Sequence, residues 1–290
     1  MNVQGELPAP SSGSGSQPEW DLNHDKLDST SSVSARMIRN AAVRQPGAVF
    51  PRPRAADLSL SLYVYVLAVG ALVTSVQARG EIMMARHGFL GVPTGTFEEG
   101  GRTHFIRLLQ AGLQPDSSLL DIGCGCLRVG YWLIKFLDAD RYCGVEPAWQ
   151  RVEFGLQCLF EVDEVKAKRP SFDFNPRFDF TVFERQFDFF VAGSIWSHAS
   201  KAQIGIMLDN FVRTGTPDAV LLASYIPATS AADDYQGDRW VGTSHESATA
   251  GVIRHARGWV QDACLSRSLV VEELPGIDCD GQPWLKVRRS

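Results

Sequence analysis

The feature that most constrains this chain is the stretch at residues 119–147, LLDIGCGCLRVGYWLIKFLDADRYCGVEP. An apolar run ends in Asp-x-Gly-x-Gly, a second apolar segment follows, and a third apolar run ends at Glu146. This order predicts a strand, a glycine turn, a helix and a second strand parallel to the first. Because glycine has no side chain, Gly123 and Gly125 let a ligand approach the backbone of the turn closely.

Strands and helices alternate from about residue 100 onward. We predict helices over 103–112, 127–137, 148–160 and 204–212, and strands over 118–123, 142–147, 178–183, 187–195, 219–226, 269–274 and 283–290. The last two strands pair as an antiparallel hairpin. The sequence therefore predicts an α/β fold with a seven-stranded, mostly parallel sheet, helices on both faces and a C-terminal antiparallel hairpin.

The N-terminal part of the chain has a different composition. Residues 1–57 are rich in Ser, Gly and Pro, which predicts a disordered tail. Residues 58–78 carry no formal charge and are long enough for a membrane-spanning helix, yet their first half alternates apolar and polar residues. Arginines precede this segment, so the positive-inside rule would place the C-terminal part outside the cytosol. A helix packed in front of the main domain and a membrane or interfacial anchor both stay open, and we divide the chain into 1–57, 58–96 and 97–290.

The overall composition limits the partners of the protein. A net charge of -5 lacks the basic footprint of a nucleic-acid-binding protein. The first residues have neither a basic start nor an apolar core, so no secretory signal is expected. The six cysteines include no CxxC pair, which favours reduced thiols and a cytoplasmic protein, with membrane association through 58–78 left open.

The turn at 123–128 is compatible with several ligands. Cys124 and Cys126 lack Cys or His partners at zinc-ligand spacing, so we expect no metal. A nicotinamide dinucleotide fingerprint needs a third glycine at position 128, which is Arg128 here. Glu146 can accept hydrogen bonds from both hydroxyls of a ribose, which favours another adenosine-bearing ligand.

With these residues the sequence resembles the class I S-adenosylmethionine-dependent methyltransferases, in particular a bacterial-type subgroup with the motif DIGCGxLRxG. The likeness extends from about residue 97 to 290 and rests on the order of LLDIGCG, YCGVEP, FDFFVAGSIWSH and GQPWLKVRR. The chain departs from the commoner GxGxG pattern at Leu127. The resemblance implies a Rossmann-like fold and S-adenosylmethionine as the cofactor.

The resemblance also implies roles for single residues. The methionine end of the cofactor would be lined by Asp121, Gly123, Cys124 and Gly125, and Glu146 would bind the ribose. The adenine would lie between Asp179 and Phe180. The residues that end the fourth strand would face the transferred methyl group: Ala192, Gly193 and Ser194.

Four polar residues near these motifs have two interpretations each. His198 follows the fourth strand and could take a proton from a substrate hydroxyl or amine, or it could cap a helix or fill the pocket wall. Arg128 could form a salt bridge inside the fold or orient an anionic substrate group. Glu98 and Glu99 could form a loop over the cofactor or a solvated acidic turn.

The preferred function is methyl transfer to a small-molecule or glycan acceptor, with oxygen as the methylated atom. The motif Asn/Asp-Pro-Pro-Tyr/Phe is absent after the fourth strand, which argues with the acidic charge against a nucleic-acid substrate. Two alternatives remain: a non-catalytic binding or scaffold protein with the same fold, and an NAD-dependent oxidoreductase.

Overall fold

A seven-stranded sheet runs through the protein in the order β3-β2-β1-β4-β5-β7-β6. The structure is a computed structural model that describes residues 75–244, 247, 250–277 and 281–290. The strands are β1 Leu119–Ile122, β2 Tyr142–Val145, β3 Ser171–Asp173, β4 Phe187–Ala192, β5 Gly215–Ser224, β6 Leu269–Ile277 and β7 Pro283–Arg289. The expected tail at 1–57, and the segment at 58–78 up to residue 74, lie outside the described residues.

The strand directions confirm the predicted fold class. Neighbouring strands from β3 to β5 are parallel, whereas β7 is antiparallel to both β5 and β6. Every residue of β1 and β2 is buried, as expected for central strands covered on both faces. From β1 the chain adds strands β2 and β3 on one side of the sheet and then returns to add β4 and β5 on the other side. The strand order therefore reverses between β1 and β4, and open α/β sheets bind ligands at such a point.

Helices cover both faces of the sheet. Within the described residues they are α1 Val76–His87, α2 Phe97–Gln110, α3 Gly130–Phe136, α4 Trp149–Leu159, α5 Val162–Lys168, α6 Lys201–Thr214 and α7 Arg257–Leu265. One apolar cluster contains residues of the helices α1, α2, α3 and α4 and lies on one face of the sheet. A second cluster contains residues of α6 and α7 and lies on the other face. Helix α6 begins with a capping box formed by Ser200 and Gln203.

The third strand differs from the prediction. It lies at Ser171–Asp173, whereas Thr181–Phe183 forms a single turn of 3-10 helix. Between them the Asn175 side chain accepts hydrogen bonds from the backbone N–H groups of Arg177 and Asp179, which closes a turn. The aromatic residues at 178–183 alternate as in a strand, yet Phe180 packs into the core beneath the sheet.

The first two helices extend the packed structure toward the N-terminus. Helix α2 begins at Phe97 instead of residue 103, so Glu98 and Glu99 lie in its first turn and not in a loop. Met83 of α1 is buried, and Gly80 lets the ring of Phe97 pack directly on the helix backbone, since a Cβ there would lie 2.5 Å from the ring. Helix α1 therefore packs on α2 and α4 although it precedes the expected boundary at residue 97. Among the helices described, none has the length and apolarity needed to cross a membrane.

Candidate ligand-binding site

A cavity of about 520 Å³ lies at the carboxyl ends of β1, β2 and β4. Its volume falls within the range of small-molecule pockets, about 300 to 1,000 Å³. The turn after β1, the end of β2 and the segment after β4 form its walls, and residues 90–93 and Thr96 close it from the N-terminal side. The cavity thus occupies the point where the strand order reverses, which is the usual ligand position in this class of sheet.

The turn after β1 depends on the left-handed conformation of three residues. Gly123, Gly125 and Leu127 have φ angles of 69°, 53° and 63°. A Cβ on Gly123 would lie 2.2 Å from Cδ1 of Ile195, so the site has no room for a side chain there. Leu127 adopts the left-handed conformation although it is not glycine. Its buried side chain contacts the backbone of two later helices, so packing offsets the backbone strain.

Glu146 connects the end of β2 to this turn. Its carboxylate is buried, and Oε2 accepts a hydrogen bond from the backbone N–H of Gly125 at 3.1 Å. Oε1 accepts from the N–H of Ala148 at 2.9 Å, and Nη1 of Arg151 lies 3.9 Å away. Each oxygen has two lone pairs, so both oxygens retain capacity to accept a hydrogen bond from a ligand.

Asp121 supplies a second buried carboxylate to the same wall. Tyr142 Oη donates a hydrogen bond to Oδ2 of Asp121 at 2.8 Å. Burial raises the pKa of Asp121 to about 7; the hydrogen bond from Tyr142 acts in the opposite direction, and the charge of Glu146 adds to the rise. Two carboxylates on one buried wall favour a ligand that brings a positive charge and hydrogen-bond donors.

A network of neutral polar groups follows β4. Ser194 has a φ of 57°, and its N–H donates to Oγ of Ser224 at 2.7 Å. Oγ of Ser224 donates to Oε1 of Gln282 at 2.9 Å, and Nε2 of Gln282 donates to Oγ of Ser194 at 3.0 Å. The residue just before β7 is thereby tied to the end of β4. Ser194 and Gln282 both line the cavity.

His198 lies in the cavity wall beside an aromatic ring. Nδ1 of His198 is 2.7 Å from the carbonyl oxygen of Val241, and the imidazole stacks on Trp240 with ring centroids 5.5 Å apart. Burial lowers the pKa of His198, and the carbonyls of Val241 and Gly251 oppose that shift. A neutral imidazole that donates through Nδ1 keeps a lone pair on Nε2.

Arg128 forms hydrogen bonds inside the fold. Its Nε donates to the carbonyl oxygen of Phe97 at 3.1 Å, and Nη2 donates to the carbonyl oxygen and to Oγ1 of Thr96 at 2.5 and 3.1 Å. The guanidinium lies against Gly100, where a Cβ would be 1.7 Å away. Arg128 thus attaches the start of α2 to the turn after β1.

The cysteines of the turn are buried thiols. Burial raises the pKa of Cys124 well above its ordinary value and that of Cys126 to about 12. Within the part of the chain that the structure describes, no three His, Cys, Asp or Glu side chains are grouped in a way that could hold a metal ion. Cys124 lines the cavity, and Gly144 of β2 leaves room for its sulfur.

The structure brings most of the predicted site residues to one cavity. Its lining includes Asp121, Gly123, Cys124, Gly125, Glu146, Gly193, Ser194 and His198. Ala192 is buried in the core just before the lining begins, Phe180 lies in the core, and Asp179 accepts hydrogen bonds from Thr181; none of the three lines the cavity. Phe178 lines it instead.

Several lining residues escaped the sequence analysis. They come from distant parts of the chain: residues 90–93, Thr96, His104, Arg151, Thr243, Ser244 and Gln282. Gln282 carried a signal, since it belongs to the motif GQPWLKVRR on which the resemblance rests. The segment between β5 and α7 had no regular pattern that could reveal its contribution.

Comparisons with known proteins place the fold. No protein-family model matches the chain. Magnesium protoporphyrin IX methyltransferase from Synechocystis PCC 6803, solved with bound SAM, is similar with a TM-score of 0.51 and 13% identity, over 82% of this chain and 100% of that one. The same enzyme with bound SAH is similar with a TM-score of 0.50 and 14% identity, over 80% of this chain and 100% of that one. A DhpI-SAM-HEP complex is similar with a TM-score of 0.50 and 13% identity, over 76% of this chain and 97% of that one. The chain thus has the Rossmann-like fold of these methyltransferases.

Proposed function

We propose that the protein is an S-adenosylmethionine-dependent methyltransferase. The observation that carries this proposal is the hydrogen bond between Glu146 at the end of β2 and the glycine turn after β1, at the wall of the cavity. This bond supports the proposal because it holds a buried carboxylate next to backbone that carries no side-chain bulk, and such a carboxylate can accept from the two hydroxyls of a ribose. The likeness of the fold to solved methyltransferases agrees with this assignment.

The cavity residues divide between the two ends of the cofactor. Glu146 accepts from the ribose hydroxyls, and Asp121 accepts from the ammonium of the methionine part, with Gly123, Cys124 and Gly125 between them. The adenine packs on Phe178, the aromatic residue of its segment that lines the cavity. Gly193 and Ser194 line the side of the cavity toward the transferred methyl group.

The chain mainly has to orient the acceptor. When bound, the cofactor supplies a methyl group that its sulfonium already makes electrophilic, so alignment of the nucleophile accounts for most of the catalysis. His198 lines the cavity with Nδ1 directed to the carbonyl of Val241. Its Nε2 would take the proton that a hydroxyl acceptor loses on methylation.

The acceptor is a small molecule or a glycan that presents a hydroxyl group. The wall beyond Ser194 carries uncharged hydrogen-bonding side chains and one indole: Gln282, Thr243, Ser244 and Trp240. Such a surface suits a neutral, hydroxyl-bearing molecule better than a phosphate backbone. The net charge of -5 supports the same choice.

The location and domain division follow from the same proposal. A cytoplasmic enzyme has access to this cofactor, and the buried thiols fit a reducing compartment. We propose residues 97–290 as the methyltransferase domain, preceded by the segments 1–57 and 58–96. Membrane association through 58–78 stays an open alternative.

Calorimetric titration with S-adenosylmethionine, S-adenosylhomocysteine and NAD tests the proposal. We expect micromolar binding of the first two and none of NAD. Glu146→Gln should weaken binding of S-adenosylhomocysteine by about 1.5 to 3 kcal/mol, the scale of charged hydrogen bonds. Glu153→Gln is the matched control, because Glu153 lies on α4 outside the cavity lining and accepts only from Gln157 of its own helix among the identified bonds.

The other outcomes separate the alternatives. Absence of binding by all three ligands would favour the scaffold protein. Binding of NAD alone would favour the oxidoreductase. Equal effects of the variants at 146 and 153 would remove Glu146 from the ribose site.

A further inference from the structure

Tyr142 lies behind the cavity wall, in contact with one of its carboxylates. It is buried at the start of β2, and its hydroxyl donates to Oδ2 of Asp121 on the neighbouring strand β1. Gly130 at the start of α3 makes room for the hydroxyl, since a Cβ there would lie 2.8 Å from it. Three elements therefore bring this hydroxyl group to Asp121. Tyr142 is not among the residues that line the cavity.

Tyr142 is the donor of this hydrogen bond whenever Asp121 is ionised. Burial, together with the nearby charge of Asp121, raises the pKa of Tyr142 well above its ordinary value, so the phenol keeps its proton. An ionised carboxylate can only accept, which makes Tyr142 the donor. The bond limits rotation of the carboxylate and occupies one of its oxygens.

We propose that Tyr142 is a positioning residue that holds the Asp121 carboxylate in the orientation that accepts a hydrogen bond from the ammonium group of a bound amino-acid moiety. The inference rests on the proposed function, which supplies a ligand with such a group. Tyr142 acts through Asp121 and has no contact with the reacting atoms.

The surroundings of Asp121 make this binding depend on pH. The titratable groups that interact with Asp121 are Tyr142 of β2, Glu146 after β2 and Cys124 of the turn, with Arg151 of α4 next to Glu146. A cationic ligand favours the ionised carboxylate, so its affinity rises with pH until Asp121 is fully ionised. The tyrosine hydrogen bond also favours the ionised form. Its removal should therefore shift the rise in affinity to higher pH.

Two ligands that differ only in the amino-acid part provide the test. S-adenosylhomocysteine carries the ammonium and carboxylate groups, whereas 5′-methylthioadenosine has the same nucleoside and thioether without them. Their affinities for the full chain and for Tyr142→Phe are measured by calorimetry from about pH 5 to pH 8. We expect Tyr142→Phe to weaken S-adenosylhomocysteine roughly 3- to 10-fold at neutral pH and to move its pH profile upward. Affinity for 5′-methylthioadenosine should stay unchanged and independent of Asp121 ionisation.

Tyr131→Phe is the control, because Tyr131 of α3 packs against Trp132 and Phe160 and does not line the cavity. Binding of 5′-methylthioadenosine also reports whether Tyr142→Phe is folded. An equal loss for both ligands, or an unchanged pH profile for S-adenosylhomocysteine, would overturn the positioning role. Failure of the unmodified chain to bind either ligand would instead overturn the proposed function, and this inference with it.

Discussion

Asp121 is buried at the end of β1 and still lines the cavity, so its ionisation destabilises the empty protein. Its pKa of about 7 in the folded protein lies above the ordinary value of 3.8 for an aspartate. Between these values the folded state binds more protons than the unfolded state, so stability falls as pH rises and then levels off above about pH 7. Asp121→Asn removes this dependence while its amide oxygen can still accept from Tyr142. The difference in melting temperature, variant minus original chain, should therefore be larger at pH 7 than at pH 4, by about 2 to 4 °C or more.

Thermal unfolding without ligand, followed by circular dichroism across this pH range, measures the difference. Asp233→Asn serves as a control whose effect on stability changes mainly below this pH range. Hydrogen bonds from Ser230 and Thr229 lower the pKa of Asp233, so that carboxylate contributes stability above the unfolded pKa and loses it as pH falls. A difference for Asp121→Asn that does not change with pH would show that its ionisation has no effect on stability.

The predicted site residues that lie together in the structure share a local cause. Gly123, Gly125 and Glu146 lie in a short βαβ stretch, where a turn without side chains and an acid at the next strand end are brought together by neighbouring elements. Phe178 reaches the cavity after a local turn at Asn175, whereas Gln282 reaches it through a contact with a distant part of the chain. The Asn175 turn redirects the chain after β3, and the contact of Gln282 with Ser194 spans the sheet. Neither arrangement leaves a periodic signal.

Among the elements, the strands with fully buried apolar residues were predicted, whereas β3 was expected at residues 178–183 and the start of α2 was expected too late. The strands β1, β2, β4 and β5 carry continuous apolar runs, whereas β3 has only three residues, none of them fully buried. The start of α2 was missed because FEEGG combines acids and glycines, which are typical of a loop. In the structure those glycines allow the close approach of Arg128.

Gly100→Ala tests that contact. Alanine favours a helix over glycine by up to about 1 kcal/mol, but a Cβ at residue 100 would displace the buried guanidinium of Arg128 and its hydrogen bonds to Thr96 and Phe97. We expect a net loss of about 2 to 4 kcal/mol in the free energy of unfolding, measured by urea denaturation. Gly258→Ala in α7 is the matched control, since nothing lies within 4 Å of its Cβ. A stabilising Gly100→Ala would contradict the assigned contact.

The packed structure of the whole domain includes residues that precede the expected boundary at residue 97. Residues 75–96 contribute buried side chains to the packing of α1 against the domain, namely Val76, Met83, Met84 and Leu90. They also contribute part of the cavity wall at residues 90–93. Burial of each such side chain stabilises the folded state by about 1.5 to 3 kcal/mol. A chain that begins at residue 97 therefore loses several kcal/mol of folding free energy, and it also lacks one side of the cavity.

Two truncations decide this point. A chain that begins at Ser75 retains α1 with its capping serine, and we expect it to melt cooperatively and to bind S-adenosylhomocysteine as tightly as the full chain does. A chain that begins at Phe97 exposes the apolar surface beneath α1 and lacks the 90–93 wall, so we expect a lower melting temperature and at least about 10-fold weaker binding. Circular dichroism and calorimetry on both chains give the comparison. Equal behaviour of the two would mean that α1 is an accessory to the domain. The expected difference would move the start of the proposed methyltransferase domain from residue 97 to the beginning of α1.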